Sequence, residues 1–161
     1  AAGVFVTLVY ARFDTMTGDL EYCSAGHPPP FVITADGSLR SLERAQSPAC
    51  AILKDVRFST IRTRLAPGDT VLFFTDGVTE AHNPERKLFS EDRLEAELRR
   101  VPGRNAAILA RDIVDAVRHF ASGREQHDDL TVLALRWVAP VPLPDSAPDA
   151  APTGSAAGVG A

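Results

Sequence analysis

The chemical possibilities of this sequence rest on Asp76, Asp128, Asp129 and His27. The run Thr70 to Thr75 has the β-branched and aromatic composition of a buried strand, so Asp76-Gly77 puts a carboxylate at its C-terminal mouth. Asp128-Asp129 stands at the N-terminal mouth of another apolar run that ends at Trp137. If these two strands are antiparallel neighbours, all three carboxylates converge on one edge of one sheet. Carboxylates gathered there repel one another and lose hydration, and they are tolerated chiefly when a cation compensates them. Oxygen-only donors favour hard ions such as Mg²⁺ or Mn²⁺. Plainer readings stand beside this one. Asp76-Gly77 can be a simple turn, as Asp36-Gly37 is between two short apolar runs, and Asp128 and Asp129 can be exposed loop acids. His27 fits either of two roles: a general acid or phosphate hydrogen-bonding group, or an imidazole that orients the loop ahead of Pro28-Pro29-Pro30. The sequence offers no Ser-His-Asp or Cys-His nucleophile arrangement, no nucleophile elbow and no phosphate-cradling glycine loop.

The elements that would position these groups form a first half rich in strands. Val4 to Phe13 reads as a strand, turned by Asp14 to Asp19 into Leu20 to Ser24. Phe31 to Thr34 and Leu39 to Leu42 flank Asp36-Gly37 as a hairpin. Glu43 to Asp55 reads as an irregular loop. Val56 to Leu65 alternates apolar and basic residues, with one slip that predicts a bulge. Ala66-Pro67-Gly68-Asp69 is a tight turn into the strand at Thr70. The period then becomes helical. Leu94, Leu98 and Val101 follow an N-cap at Ser90 and stop at Pro102-Gly103. Asn105 caps a second helix with Ile108, Leu109, Ile113, Val117 and Phe120 on one face, closed by Ser122-Gly123.

With 161 residues, 45% of them hydrophobic, the chain is long enough for one core, and we expect a single domain over residues 1–138. A formal charge of −4 with scattered Lys and Arg gives no electrostatic footprint for nucleic acid or an anionic membrane. Cys23 and Cys50 lie in no metal-ligand spacing and read as reduced, small core residues of a cytoplasmic protein. No apolar run reaches the roughly 20 residues that span a bilayer. From Ala139 onward there is no Lys, Arg or aromatic residue, so residues 139–161 are expected to be a disordered tail rich in Ala, Pro and Gly.

Six stretches, in order, resemble one family. They are Phe5-Val6-Thr7, Asp14 with Gly18, Ala25-Gly26-His27-Pro28-Pro29, Pro67-Gly68-Asp69, Thr75-Asp76-Gly77-Val78-Thr79-Glu80-Ala81 and Asp128-Asp129-Leu130-Thr131. Together with Leu88-Phe89 and Arg93-Leu94 they look like the bacterial SpoIIE-type branch of the metal-dependent type 2C (PPM) serine/threonine phosphatases. The resemblance implies an α+β fold, an antiparallel β-sandwich flanked by helices. It makes Asp76 and Asp128 ligands of two Mg²⁺ or Mn²⁺ ions, with Asp129 orienting the ligands or their waters and Gly77 beside them. It further implies in-line attack of a metal-activated water on phosphoserine or phosphothreonine, so that no side-chain nucleophile is needed. The implied partner is a phosphorylated anti-sigma-factor antagonist in a partner-switching pathway, with a possible sensor domain upstream. The sequence departs from the family pattern in one respect. The family's Gly-Asp motif followed by Gly-His-Gly, which supplies the bridging aspartate, belongs upstream of Val4 and is absent; Gly18-Asp19 and Gly68-Asp69 both lie in turns. The N-terminal part of the domain is therefore expected to be missing, and the chain alone to bind metal weakly and turn over little substrate. A non-catalytic, phosphatase-like regulatory or protein-binding module is the alternative.

Overall fold

The computed structural model describes residues 4–44, 47–100, 105–124, 126 and 128–139. Within them the strands are β1 (Leu8–Phe13), β2 (Asp19–Ala25), β3 (Phe31–Ile33), β4 (Leu39–Ser41), β5 (Ile61–Arg64), β6 (Thr70–Phe74) and β7 (Val132–Arg136). The helices are α1 (Asp76–Thr79), α2 (Ser90–Arg99) and α3 (Ala106–Ala121). One sheet has the order β1-β2-β5 and the other β4-β3-β6-β7, and every ladder in both is antiparallel.

β6 organises the layers because it is buried on both faces. Successive side chains of a strand point to opposite faces, so its residues divide between two cores. Val71 and Phe73 join Leu20, Tyr22, Val32, Leu42, Leu65 and Trp137 between the two sheets. Leu72 and Phe74 join Phe31, Ile33, Val78 and the apolar faces of α2 and α3, including Leu94, Leu98, Leu109, Ile113 and Val117. β3 divides in the same way, and its register places Phe31 opposite Leu72 and Val32 opposite Val71. Phe31 stacks on Phe74 with ring centroids 5.8 Å apart. Burying each such side chain contributes about 1.5–3 kcal/mol relative to leaving it in water, so a strand with two buried faces is heavily stabilised for its length.

The three-stranded sheet is tied by charge on its solvent side. Arg12 and Arg62 lie directly across from Glu21 and bond it at 2.9 and 2.7 Å, and Arg64 bonds Asp19 at 2.7 Å. These pairs are exposed, and their value is in register more than in energy. The Arg64 guanidinium, with the Thr17 hydroxyl, holds the Asp19 carboxyl at about 2 against an ordinary value of 3.8.

The sandwich flanked by helices is observed, with α2 and α3 packed on the four-stranded sheet. Several local expectations are corrected. Val4 to Phe13 narrows to Leu8–Phe13, with Val6 making only an isolated bridge to Cys50. Among the described residues β1 is the outer strand of its sheet, with Leu8 and Tyr10 52% and 65% exposed. Val56 to Leu65 narrows to Ile61–Arg64, because only that part finds a partner in β2. Ser90 does not cap α2: it has φ of 69° and no side-chain cap bond is made there. Asn105 does cap α3, accepting from the Ala107 amide at 2.8 Å. Cys23 and Cys50 are free and half-buried instead of core residues; β2 directs Tyr22 and Ser24 inward, so Cys23 faces the other way. The stop at Pro102-Gly103 and the tail beyond Ala139 lie outside the described residues. Among the described residues no helix is long and apolar enough to cross a membrane.

Candidate functional site

The β6–β7 ladder runs from Thr70↔Arg136 to Phe74↔Val132, so the end of β6 meets the beginning of β7. Past the last ladder pair the contact is continued by Thr75. Its amide donates to the Thr131 carbonyl at 3.1 Å, its hydroxyl donates to the Asp129 carbonyl at 2.7 Å, and it accepts from the Thr131 amide at 2.9 Å. Thr75 thereby holds the Asp128-Asp129 segment beside the exit of β6. Sequence reading did not assign it a role, although its place immediately before Asp76-Gly77 in a strand-end motif was visible.

Asp76 opens the single helical turn α1 instead of a hairpin turn. Its carbonyl accepts from the Glu80 amide at 2.8 Å and from the Thr79 hydroxyl at 3.2 Å, and its Oδ1 accepts from the Gly77 amide at 3.1 Å. Asp36, in the similar dipeptide, is spent on its own turn: Oδ1 takes the Ser38 amide at 2.9 Å and the Thr34 hydroxyl. The two Asp-Gly pairs are therefore structurally unlike. Gly77 is required by close approach. A Cβ there would lie 2.5 Å from the Asp129 carbonyl oxygen and 3.3 Å from that of Asp128. Any side chain would push the two segments apart.

His27 arrives from the other direction. Gly26 has φ of 68°, and a Cβ on it would come within 2.9 Å of Ala49, so glycine is needed to turn β2 out of the sheet. Buried Ser24 accepts from the His27 amide and donates to the His27 carbonyl, each at 3.1 Å. The imidazole Nδ1 stands 3.5 Å from the Thr7 hydroxyl. Burial holds its pKa below the ordinary histidine value, opposed by the charge of Asp76 and by the Phe74 carbonyl. Thus the half-buried ring sits within the field of Asp76, at the exit of β6.

Asp128 and Asp129 are exposed, and Asp128 Oδ1 accepts from the Asp129 amide at 2.8 Å. A cleft of about 260 Å³ opens beside Gly77 and Asp128, between α1 and the C-terminal end of α3. The strand pairing thus brings Asp76, Gly77, Asp128 and Asp129 to one end of the sheet. The described residues hold no group of three or more His, Cys, Asp or Glu side chains able to hold an ion. The carboxylates of Asp76 and Asp128 suit Mg²⁺ or Mn²⁺ in kind, both being hard oxygen donors. In number they fall short of the six oxygens such an ion takes, so water, phosphate or further ligands would have to complete its shell.

The profile of the family described as Stage II sporulation protein E (SpoIIE) matches residues 1–138. Protein IcfG of Synechocystis sp. is 31% identical over 134 residues, 82% of this chain and 20% of the relative. Phosphoserine phosphatase RsbU of Bacillus subtilis is 28% identical over 136 residues, 84% of this chain and 40% of the relative. The crystal structure of the RsbU and RsbW domains of Rv1364c from Mycobacterium tuberculosis superposes with a TM-score of 0.66 at 30% identity, over 84% of this chain and 37% of that one. The chain therefore spans less than half the length of each of these relatives.

Proposed function

The chain belongs to the SpoIIE family, and on that premise we propose that it carries Asp76 and Asp128 as divalent-metal ligands of a phosphatase acting on phosphoserine or phosphothreonine in a regulatory protein. The substrate is of the anti-sigma-factor antagonist type, in the bacterial cytoplasm, and residues 1–138 form the part of the domain that contributes to it. One observation carries the reading: Thr75 extends the β6–β7 contact so that the Asp128-Asp129 backbone lies against Gly77, immediately after Asp76. A bound divalent ion supplies charge neutralisation on the phosphoryl oxygens and an activated water. The chain's own residues do the rest. Asp76 and Asp128 would hold the ion, Asp129 would orient the ligands around it, and Gly77 leaves the space that lets the segments meet. His27 orients the loop ahead of Pro28-Pro29-Pro30, in the field of Asp76.

The test is phosphate release from a phosphoserine peptide by the protein made from its complete reading frame, because its relatives are longer than this chain. Release should require Mn²⁺ or Mg²⁺, stop with chelator, and fall on the order of 100-fold in Asp76→Asn and in Asp128→Asn. Undiminished turnover by Asp76→Asn would overturn the assignment. A second reading, a non-catalytic binding module, is favoured because the described residues include no group of three or more His, Cys, Asp or Glu side chains able to hold an ion. Calorimetric titration with Mn²⁺ separates the two, since a pure binding module gives no heat that Asp76→Asn removes.

A further inference from the structure

The cleft beside Gly77 and Asp128 has a wall of Ala81, Val117, Ala121 and Leu130, and Arg118 and Arg124 also line it. We propose that it seats the residues flanking the phosphorylated one, and that it selects a substrate segment with an aliphatic side chain next to the phosphoresidue and a carboxylate beyond. This rests on the phosphatase reading and adds to it the chemistry of the preferred sequence.

At about 260 Å³ the cleft is below the roughly 300–1,000 Å³ of sites for small molecules and cofactors, so one aliphatic side chain suits it better than a cofactor. Its position makes the occupant a near neighbour in sequence. Asp128 and Gly77 belong both to the cleft and to the strand-end site, and each residue of an extended peptide advances only about 3.3–3.6 Å. Charge gives the rest. Guanidinium groups pair with carboxylates in a fork geometry, and both arginines are exposed. The acids lining the cleft are Asp128, the proposed metal ligand, and Glu80; with an ion bound, Glu80 alone would stand against the two arginines. Arg124 is also tied in place, Nη1 donating to the Asn83 carbonyl at 3.1 Å. Val117, beside Arg118, is anchored in the core. A groove held on both sides in this way loses little freedom when occupied. Arg118 lies in the last turn of α3, where it also favours the helix dipole, but Arg124 lies beyond the helix and has no such role.

The test is fluorescence anisotropy of the protein made from its complete reading frame, in Mg²⁺, with two fluorescein-labelled peptides built on a phosphonate analogue of phosphoserine, which cannot be turned over. One has Glu-Leu before and Leu-Glu after the phosphonate; the other has Lys-Ser and Ser-Lys. The first should bind more tightly, by about three- to fivefold per arginine engaged. Arg118→Glu and Arg124→Glu should erase or reverse the preference, and Ala121→Phe, which fills the cleft, should weaken the leucine peptide alone. Circular dichroism melts establish that each variant is folded. Equal affinity for both peptides, no binding of either, or a preference unchanged in both arginine variants would overturn the inference. Phosphate release by the same complete protein is read separately: turnover without flank preference sinks this inference and leaves the phosphatase reading standing, whereas absence of turnover sinks the phosphatase reading and this inference with it.

Discussion

Gly77→Ala is the most informative single perturbation, because three effects of different sign meet at one atom. The added Cβ would stand 2.5 Å from the Asp129 carbonyl oxygen and 3.0 Å from its carbon. That carbonyl cannot swing aside freely, since it accepts the Thr75 hydroxyl at 2.7 Å. Overpacking of this kind costs about 1–3 kcal/mol, and losing the threonine bond adds about 0.5–1.5 kcal/mol. Against these, alanine is favoured over glycine within a helix by at most about 1 kcal/mol, and α1 is a single turn of four residues in which little of that is realised. The clash therefore wins, by about 1–4 kcal/mol. For a domain of this size each kcal/mol lowers the melting temperature by about 3–5 °C, so the variant should melt about 3–20 °C below wild type. Thermal melts followed by circular dichroism measure this. Thr75→Val should account for part of the loss, and the double variant should lose less than the sum of the two, because one bond cannot be broken twice. Melting of Gly77→Ala within about 2 °C of wild type, or above it, would refute the close-approach argument.

Asp69 is 4% exposed and its carboxylate accepts the Ala66 amide at 2.8 Å and the Ala35 amide at 2.9 Å. Asp69→Ala orphans both donors, and the urea midpoint should fall by the equivalent of about 2–4 kcal/mol at constant slope. The Asp19 carboxyl is held at about 2, so its pairing with Arg64 stabilises the fold above its unfolded value near 3.8 and is lost as pH falls toward 2. In Arg64→Gln the Asp19 midpoint, followed by carboxyl chemical shift, should rise toward 3.8; an unmoved midpoint would contradict the assigned cause.

Much of the architecture was legible because burial writes itself into residue type. A strand covered on both faces reads as the continuous apolar run Thr70–Phe74, and an amphipathic helix as Leu109, Ile113 and Val117 at helical spacing. The hairpins and the Asn105 cap are local, and local chemistry specifies them. What failed also had local causes. Ser90 has the right side chain for a cap, but the chain enters α2 with that residue at positive φ. Val56 to Thr60 has strand composition but no neighbouring strand among the described residues, and composition cannot report where a neighbour lies.

For the candidate site, the sequence by itself determined that Asp76 ends one apolar strand and that Asp128-Asp129 precedes another, since each fact concerns only a residue and its near neighbours. Tertiary structure alone decided that the two strands pair, that Thr75 holds the later segment in place, and that Gly77 has no room for a methyl group. It also distinguished Asp76, which opens a helical turn, from Asp36, which closes a hairpin. The physical reason is that identical dipeptides take their roles from contacts made across more than 50 residues of chain, as between Thr75 and Asp129, and no local pattern encodes a contact of that range.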